Sequence, residues 1–200
     1  LWRVSTGALA QTFTCIGPPY SSPEDCDRRL SPDGSLLAIG APASEERGEE
    51  TRLWSTGDGQ LVRQLVGNSP MFSPDGTLLA TWSRVDSSVR LWRASDGVLL
   101  HRFPAESTEV AFSADGALLA TGSGVYRTGD GSRVCGCSGH SMIFSPDGSL
   151  LLTGNTPLVQ MWRVSDCTLV QEVTGWDATL SPDGTLLLAS VGEGYVVRGL

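Results

Sequence analysis

The chain has 200 residues, 40% of them hydrophobic, with 14 Arg, no Lys and 22 acidic residues for a net charge of −8. That balance argues against a nucleic-acid partner, which needs a basic footprint to displace counterions from phosphates. No apolar run approaches the roughly 18 residues of a membrane span, and neither a signal-peptide pattern nor an Asn-x-Ser/Thr sequon occurs, so a cytoplasmic setting without membrane contact is expected.

Along the chain, one octapeptide recurs: "SPDGSLLA" from Ser31, "SPDGTLLA" from Ser73, "SADGALLA" from Ser113, "SPDGSLLL" from Ser145 and "SPDGTLLL" from Ser181. A spacing of 32 to 42 residues marks a repeat architecture. In four of the five copies Pro pre-sets φ, with Ala114 in its place in the Ser113 copy, while in all five Asp bonds the local backbone and Gly supplies positive φ, so the phrase closes a hairpin between two short strands. The strand after it is apolar on both faces and must be covered on both sides.

A third strand follows, "LWR" at Leu1, "RLW" at Arg52 and Arg90, "VYR" at Val125, "QMWR" at Gln160 and "VVR" at Val196. After a second turn, such as "ASDG" at 94–97, comes a fourth strand suited to an outer edge, such as "VLLHRF" at 98–103. In chain order this predicts the third and fourth strands of a leading unit (1–13) and four complete units (14–66, 67–103, 104–138, 139–174). A partial unit closes the series (175–200). Four-stranded antiparallel sheets that are apolar on both faces are stable when stacked radially, and the fold class expected is therefore all-β, a β-propeller forming a single domain. If "ALAQTF" (8–13) pairs beside "YVVR" (195–198), a five-bladed ring closes; otherwise the chain is an arc of a larger ring.

The stretch "FSPDGTLLATWSRVDSSVRLWRASDG" (72–97) and its relatives resemble the WD-repeat (tryptophan-aspartate repeat) β-propeller family along nearly the whole chain. That resemblance implies a ring usually of seven blades, of which this chain would be part. The copies are divergent: Trp is followed by Arg at Arg3, Arg93 and Arg163 and by Ser at Ser55, and the literal Trp176-Asp177 lies before a first strand. The family's Gly-His survives at Gly139-His140 and its strand-entry Asp at Asp86, in different blades, so its Asp-His network is expected to be incomplete, with a structural role for His140. Cys167 stands where the turn "VSDC" would carry Gly, a substitution that either costs about 1 kcal/mol at positive φ or changes the turn.

Catalytic signatures are sparse. No phosphate loop, G-x-G-x-x-G, H-E-x-x-H or G-x-S-x-G occurs, and His101 and His140 are the two histidines. His101 on an outer strand reads as a solvated side chain. Cys135-x-Cys137-x-x-His140 has a metal-like spacing without a fourth ligand, and is read as two small strand residues beside a structural His, with no metal and no cofactor. The five cysteines, 15, 26, 135, 137 and 167, are odd in number and unevenly spaced, fitting free thiols better than a disulfide framework. The acidic insertion "APASEERGEE" (41–50) reads as a solvated loop, with docking of a basic partner as the alternative.

The expectation is a non-catalytic scaffold for protein or peptide partners within a larger signalling or scaffolding protein that supplies further repeats or domains. The rim is formed by loops entering first strands and loops joining second to third strands. It should present Arg28, Asn68, Arg84, Asp86, His140 and Trp176, since exposed Arg and Trp serve as interaction anchors. The alternatives are a propeller enzyme or small-ligand sensor using the axial channel, and a purely structural array.

Overall fold

A computed structural model describes residues 1–3, 8–9, 11–13, 26–41, 48–155, 157–175, 178–191 and 194–199. Trp176, Cys15 and the centre of the acidic insertion lie outside them. The described elements are all β. A two-stranded hairpin, β1 (Trp2–Arg3) with β2 (Ala8–Leu9), opens the chain. Next comes a sheet of β3 (Asp27–Leu30), β4 (Leu36–Ala41), β5 (Glu50–Ser55) and β6 (Leu61–Val66), then one of β7 (Asn68–Phe72), β8 (Leu78–Ser83), β9 (Ser88–Arg93) and β10 (Leu99–Pro104). The third four-stranded sheet holds β11 (Val110–Phe112), β12 (Leu118–Thr121), β13 (Gly124–Arg127) and β14 (Arg133–Cys135). The fourth holds β15 (Ser141–Phe144), β16 (Leu150–Asn155), β17 (Leu158–Arg163) and β18 (Thr168–Thr174). A three-stranded sheet of β19 (Ala178–Leu180), β20 (Leu186–Val191) and β21 (Gly194–Gly199) ends the series.

Strands follow one another as antiparallel neighbours in every sheet, which is the blade pattern the repeat predicts. Among the described residues Ala8–Leu9 pair with Trp2–Arg3, and β21 is an edge strand of the three-stranded sheet. The chain packs as two compact units, residues 1–86 with 90–100, and residues 87–89 with 101–200.

The octapeptide forms an interlocked turn. In the Ser73 copy, Ser73 Oγ donates to Asp75 Oδ1 (2.5 Å) and accepts the Leu78 N–H (3.0 Å), while Asp75 accepts from the Thr77 N–H (3.1 Å) and the Thr77 hydroxyl (2.7 Å). Gly76 closes the loop at φ 72° by donating to Ser73 O. The same serine and aspartate bonds recur at Ser31, Ser113, Ser145 and Ser181. Those bonds hold the five carboxylates below the usual range, to about 2 at Asp33, Asp147 and Asp183, with the serine hydroxyl the largest cause at each.

In the first unit, the core gathers Ala38, Leu53, Leu65, Phe72, Leu79, Trp92 and Ala94. Neighbouring sheets approach closely there: a Cβ on Gly40 of β4 would stand 2.7 Å from Pro70 Cδ and 2.9 Å from the Ser69 nitrogen. In the second unit one cluster holds Ala120, Val125, Cys135, Cys137, Met142, Leu151 and Val164, and another holds Leu152, Val159, Met161, Val173, Leu187 and Ala189. Alternation explains both. Consecutive residues of a second strand point to opposite faces, so Leu151 enters one cluster and Leu152 the next.

The cysteines correct the expectation of free thiols and decide between the two alternatives left for Cys167. Cys135 and Cys137 are joined in a disulfide, and Cys26 is also disulfide-bonded, leaving Cys167 as the free thiol among the described residues. Uneven spacing misled because a bond across one residue needs no framework. Cys167 does not change its turn either: it adopts φ 59° in place of glycine.

Candidate functional site

The ends of strands that define the rim are described within each unit. In the first unit Ser69 Oγ donates to Asp27 Oδ2 (2.8 Å), which brings the starts of β3 and β7 together and with them Arg28 and Asn68. Arg28 is exposed; Asn68 is half-buried opposite Trp82, and its Oδ1 is buried without a hydrogen-bond partner.

A second group joins the end of the acidic insertion to the loop after β8. Glu49 is 6% exposed, and its Oε2 accepts the Arg84 N–H at 2.8 Å. The described end of the charge run is therefore a structural brace, not a solvated face. Arg84 extends its own side chain outward. Asp86 is drawn to Arg90, 2.5 Å away, so the strand-entry aspartate is engaged by an arginine of its own blade.

His140 belongs to the second unit. Its backbone N–H donates to Gly154 O (2.9 Å), while its imidazole is exposed and makes no hydrogen bond to the described residues, in contrast to the structural role expected of it. Around it lies a notch of about 50 Å³ lined by Glu106, Ser107, Gly122, Ser138, Gly139, His140 and Asn155. Two neighbouring blades build it. Glu106 and Ser107 precede β11 and Gly122 follows β12, whereas Ser138 to His140 precede β15 and Asn155 ends β16.

Gly122 keeps the notch open, since a Cβ there would stand 2.7 Å from Ser107 Oγ and 2.9 Å from the Ser107 nitrogen. Asn155 is fixed by donating Nδ2 to Ser138 O (3.0 Å). Ser107 Oγ is buried and has no hydrogen-bond partner, a state that costs about 1–3 kcal/mol until a partner arrives. The sequence pointed to His140 but missed Ser107 and Asn155; Asn155 was detectable as a polar residue at the end of β16, whereas Ser107 lies in the loop before β11. Trp176 lies outside the described residues. No group of three or more His, Cys, Asp or Glu suited to a metal occurs among the described residues, and the Cys135 and Cys137 sulfurs are occupied with one another.

Comparison with known proteins agrees with this fold. An uncharacterised WD repeat-containing protein of Synechocystis is 31% identical over 104 residues, covering 48% of this chain and 28% of that protein. The chain thus matches little more than a quarter of its relative's length. Among solved structures, the hydrazine synthase of Kuenenia stuttgartiensis superposes with a TM-score of 0.60 at 19% identity, over 80% of this chain and 53% of that one. No family model matches. These likenesses agree with a propeller-type fold of antiparallel four-stranded sheets, part of which is similar in sequence to a WD repeat-containing protein.

Proposed function

We propose that this chain is a non-catalytic scaffold that presents its rim loops to a protein or peptide partner, as one part of a larger signalling or scaffolding protein. The observation that carries the reading is the division of labour between repeated and unrepeated polar residues. The repeated Ser and Asp of the five turns are consumed by bonds to one another. By contrast, Ser107 and His140 stand at a strand-end notch with hydrogen-bonding groups unspent. Groups left open on a rigid frame are available to a ligand at little ordering cost.

The likeness to hydrazine synthase extends to the fold and brings no reaction with it. The Synechocystis relative supports a repeat scaffold. A cytoplasmic setting rested in part on free thiols, and the disulfides at Cys135–Cys137 and Cys26 remove that support.

Affinity capture from native lysate tests the reading. A partner enriched by the wild-type chain should be lost with Ser107→Ala/His140→Ala or with Arg84→Ala while the melting temperature stays within about 2 °C. An identical set of captured proteins with wild type and variants would refute it.

A further inference from the structure

The Cys135–Cys137 bond spans one residue, Gly136, with the two Cα atoms 5.6 Å apart, and both residues are buried at 1% and 3% exposure. Cys167, a half-buried free thiol, packs against the same cluster. Its position in the β17–β18 turn is occupied in other blades by Gly59, Gly97 and Gly131, at φ 71–72°. Those glycines face the strand or segment that precedes their blade. A Cβ would collide with Gln11 Nε2 at Gly59, and would come 3.2 Å from Arg63 Cδ at Gly97 and 2.7 Å from His101 Nδ1 at Gly131.

At Cys167 the side chain is real, and the strand it meets is β14. Its Sγ donates to the Val134 carbonyl oxygen at 3.4 Å. Val134 is bonded to Cys135, and a carbonyl oxygen lies about 2.8 Å from the next Cα, so the thiol sulfur is within about 6 Å of the Cys135 Cα. A thiol has thus replaced glycine, at the cost of a left-handed side-chain position, at the point where it touches the strand carrying a disulfide.

We propose that Cys135, Cys137 and Cys167 form an intramolecular thiol–disulfide exchange site. The Cys167 thiolate attacks Sγ of Cys135; the Cys135–Cys167 bond forms as the Cys135–Cys137 bond breaks, and the electron pair leaves on Cys137 Sγ. That sulfur takes up a proton equivalent to the one Cys167 released, so nothing is oxidised or reduced overall. Exchange converts a local staple within the β14 exit into a clamp between β14 and the β17–β18 turn. The clamp closes a much longer loop and restrains the unfolded chain more.

The test is the distribution of one alkyl label. Wild-type protein incubated at pH 8.5, quenched in acid and alkylated should carry label on both Cys137 and Cys167 and yield a crosslinked 135–167 peptide. Cys137→Ser treated with oxidised glutathione should form the Cys135–Cys167 bond and lose both free thiols. Cys167→Gly, with the residue that other blades use, should take no label at Cys135 or Cys137. Label confined to Cys167 in the wild type, or two free thiols persisting in folded Cys137→Ser, would overturn the proposal.

Discussion

The indole Nε1 of Trp92 donates to Thr81 Oγ1 at 2.9 Å, and the same hydroxyl donates onward to Val66 O at 2.7 Å. A third strand is thereby tied through a second strand to the outer strand of the preceding blade. Trp162 repeats the first bond with Thr153 at 3.0 Å. Thr81→Val keeps the shape and removes both bonds, leaving a buried indole N–H and a carbonyl unpaired. Chemical denaturation should show a loss of about 1–3 kcal/mol.

In the first complete blade the link is missing. Leu37 pairs with Trp54 and Ile39 with Arg52, the register in which Leu151 pairs with Trp162 and Thr153 with Gln160. Ile39 therefore stands where threonine is needed, and Trp54 Nε1 is buried without an acceptor. Ile39→Thr supplies one. Its expected stability is within about 1 kcal/mol of wild type, because the recovered hydrogen bond offsets the lost apolar burial. A loss of 3 kcal/mol or more, measured in the same way, would show that the indole does not use the new hydroxyl.

The turn carboxylates make stability depend on acid. Asp33, Asp75, Asp115, Asp147 and Asp183 are lowered in the folded chain, so the stability they contribute is fully present above the unfolded value near 3.8 and is lost as pH falls through the folded values, about 2 where the shift is largest. Circular dichroism should follow a steep loss of thermal stability between pH 4 and 2. Asp75→Asn should make that loss shallower while lowering stability at pH 7. A flat profile through this window would contradict the turn account.

Glu49 braces the loop that carries Arg84. Glu49→Ala removes the acceptor for a backbone N–H and should cost about 1–3 kcal/mol. Hydrogen exchange should report faster exchange at Arg84, with the Asp75 turn unaffected.

Gly40 is tight for a different reason from the turn glycines. Gly40→Ala would drive a methyl group into Pro70 and the Ser69 backbone, and overpacking of this kind costs about 1–3 kcal/mol. Thermal melts should place it well below Gly48→Ala, where no described residue lies within 4 Å of the added carbon.

The blades were legible because the octapeptide states its turn chemistry outright, and Leu-Leu-Ala after it can be buried on both faces. Asp86 was legible as a strand-entry residue, but its pairing with Arg90 of β9 was not, since the geometry of the turn that carries Asp86 is not specified by sequence. Ser107 was invisible for the opposite reason: a serine in a short loop carries no signal until its burial and its missing partner are known. The disulfide at Cys135 was discounted on spacing; it forms because β14 ends at Cys135 and the chain contracts through Gly136, bringing the two Cα atoms to 5.6 Å, within bonding range.

Placement of a photo-crosslinker tests the central claim most directly, and suits a chain without lysine. Benzoylphenylalanine introduced at Arg84 or His140 should capture a partner protein on irradiation in native lysate. The same group at Ser95 or Gly129, in exposed turns between third and fourth strands, should not. Capture confined to Ser95 and Gly129, or equal at all four positions, would contradict a rim that binds.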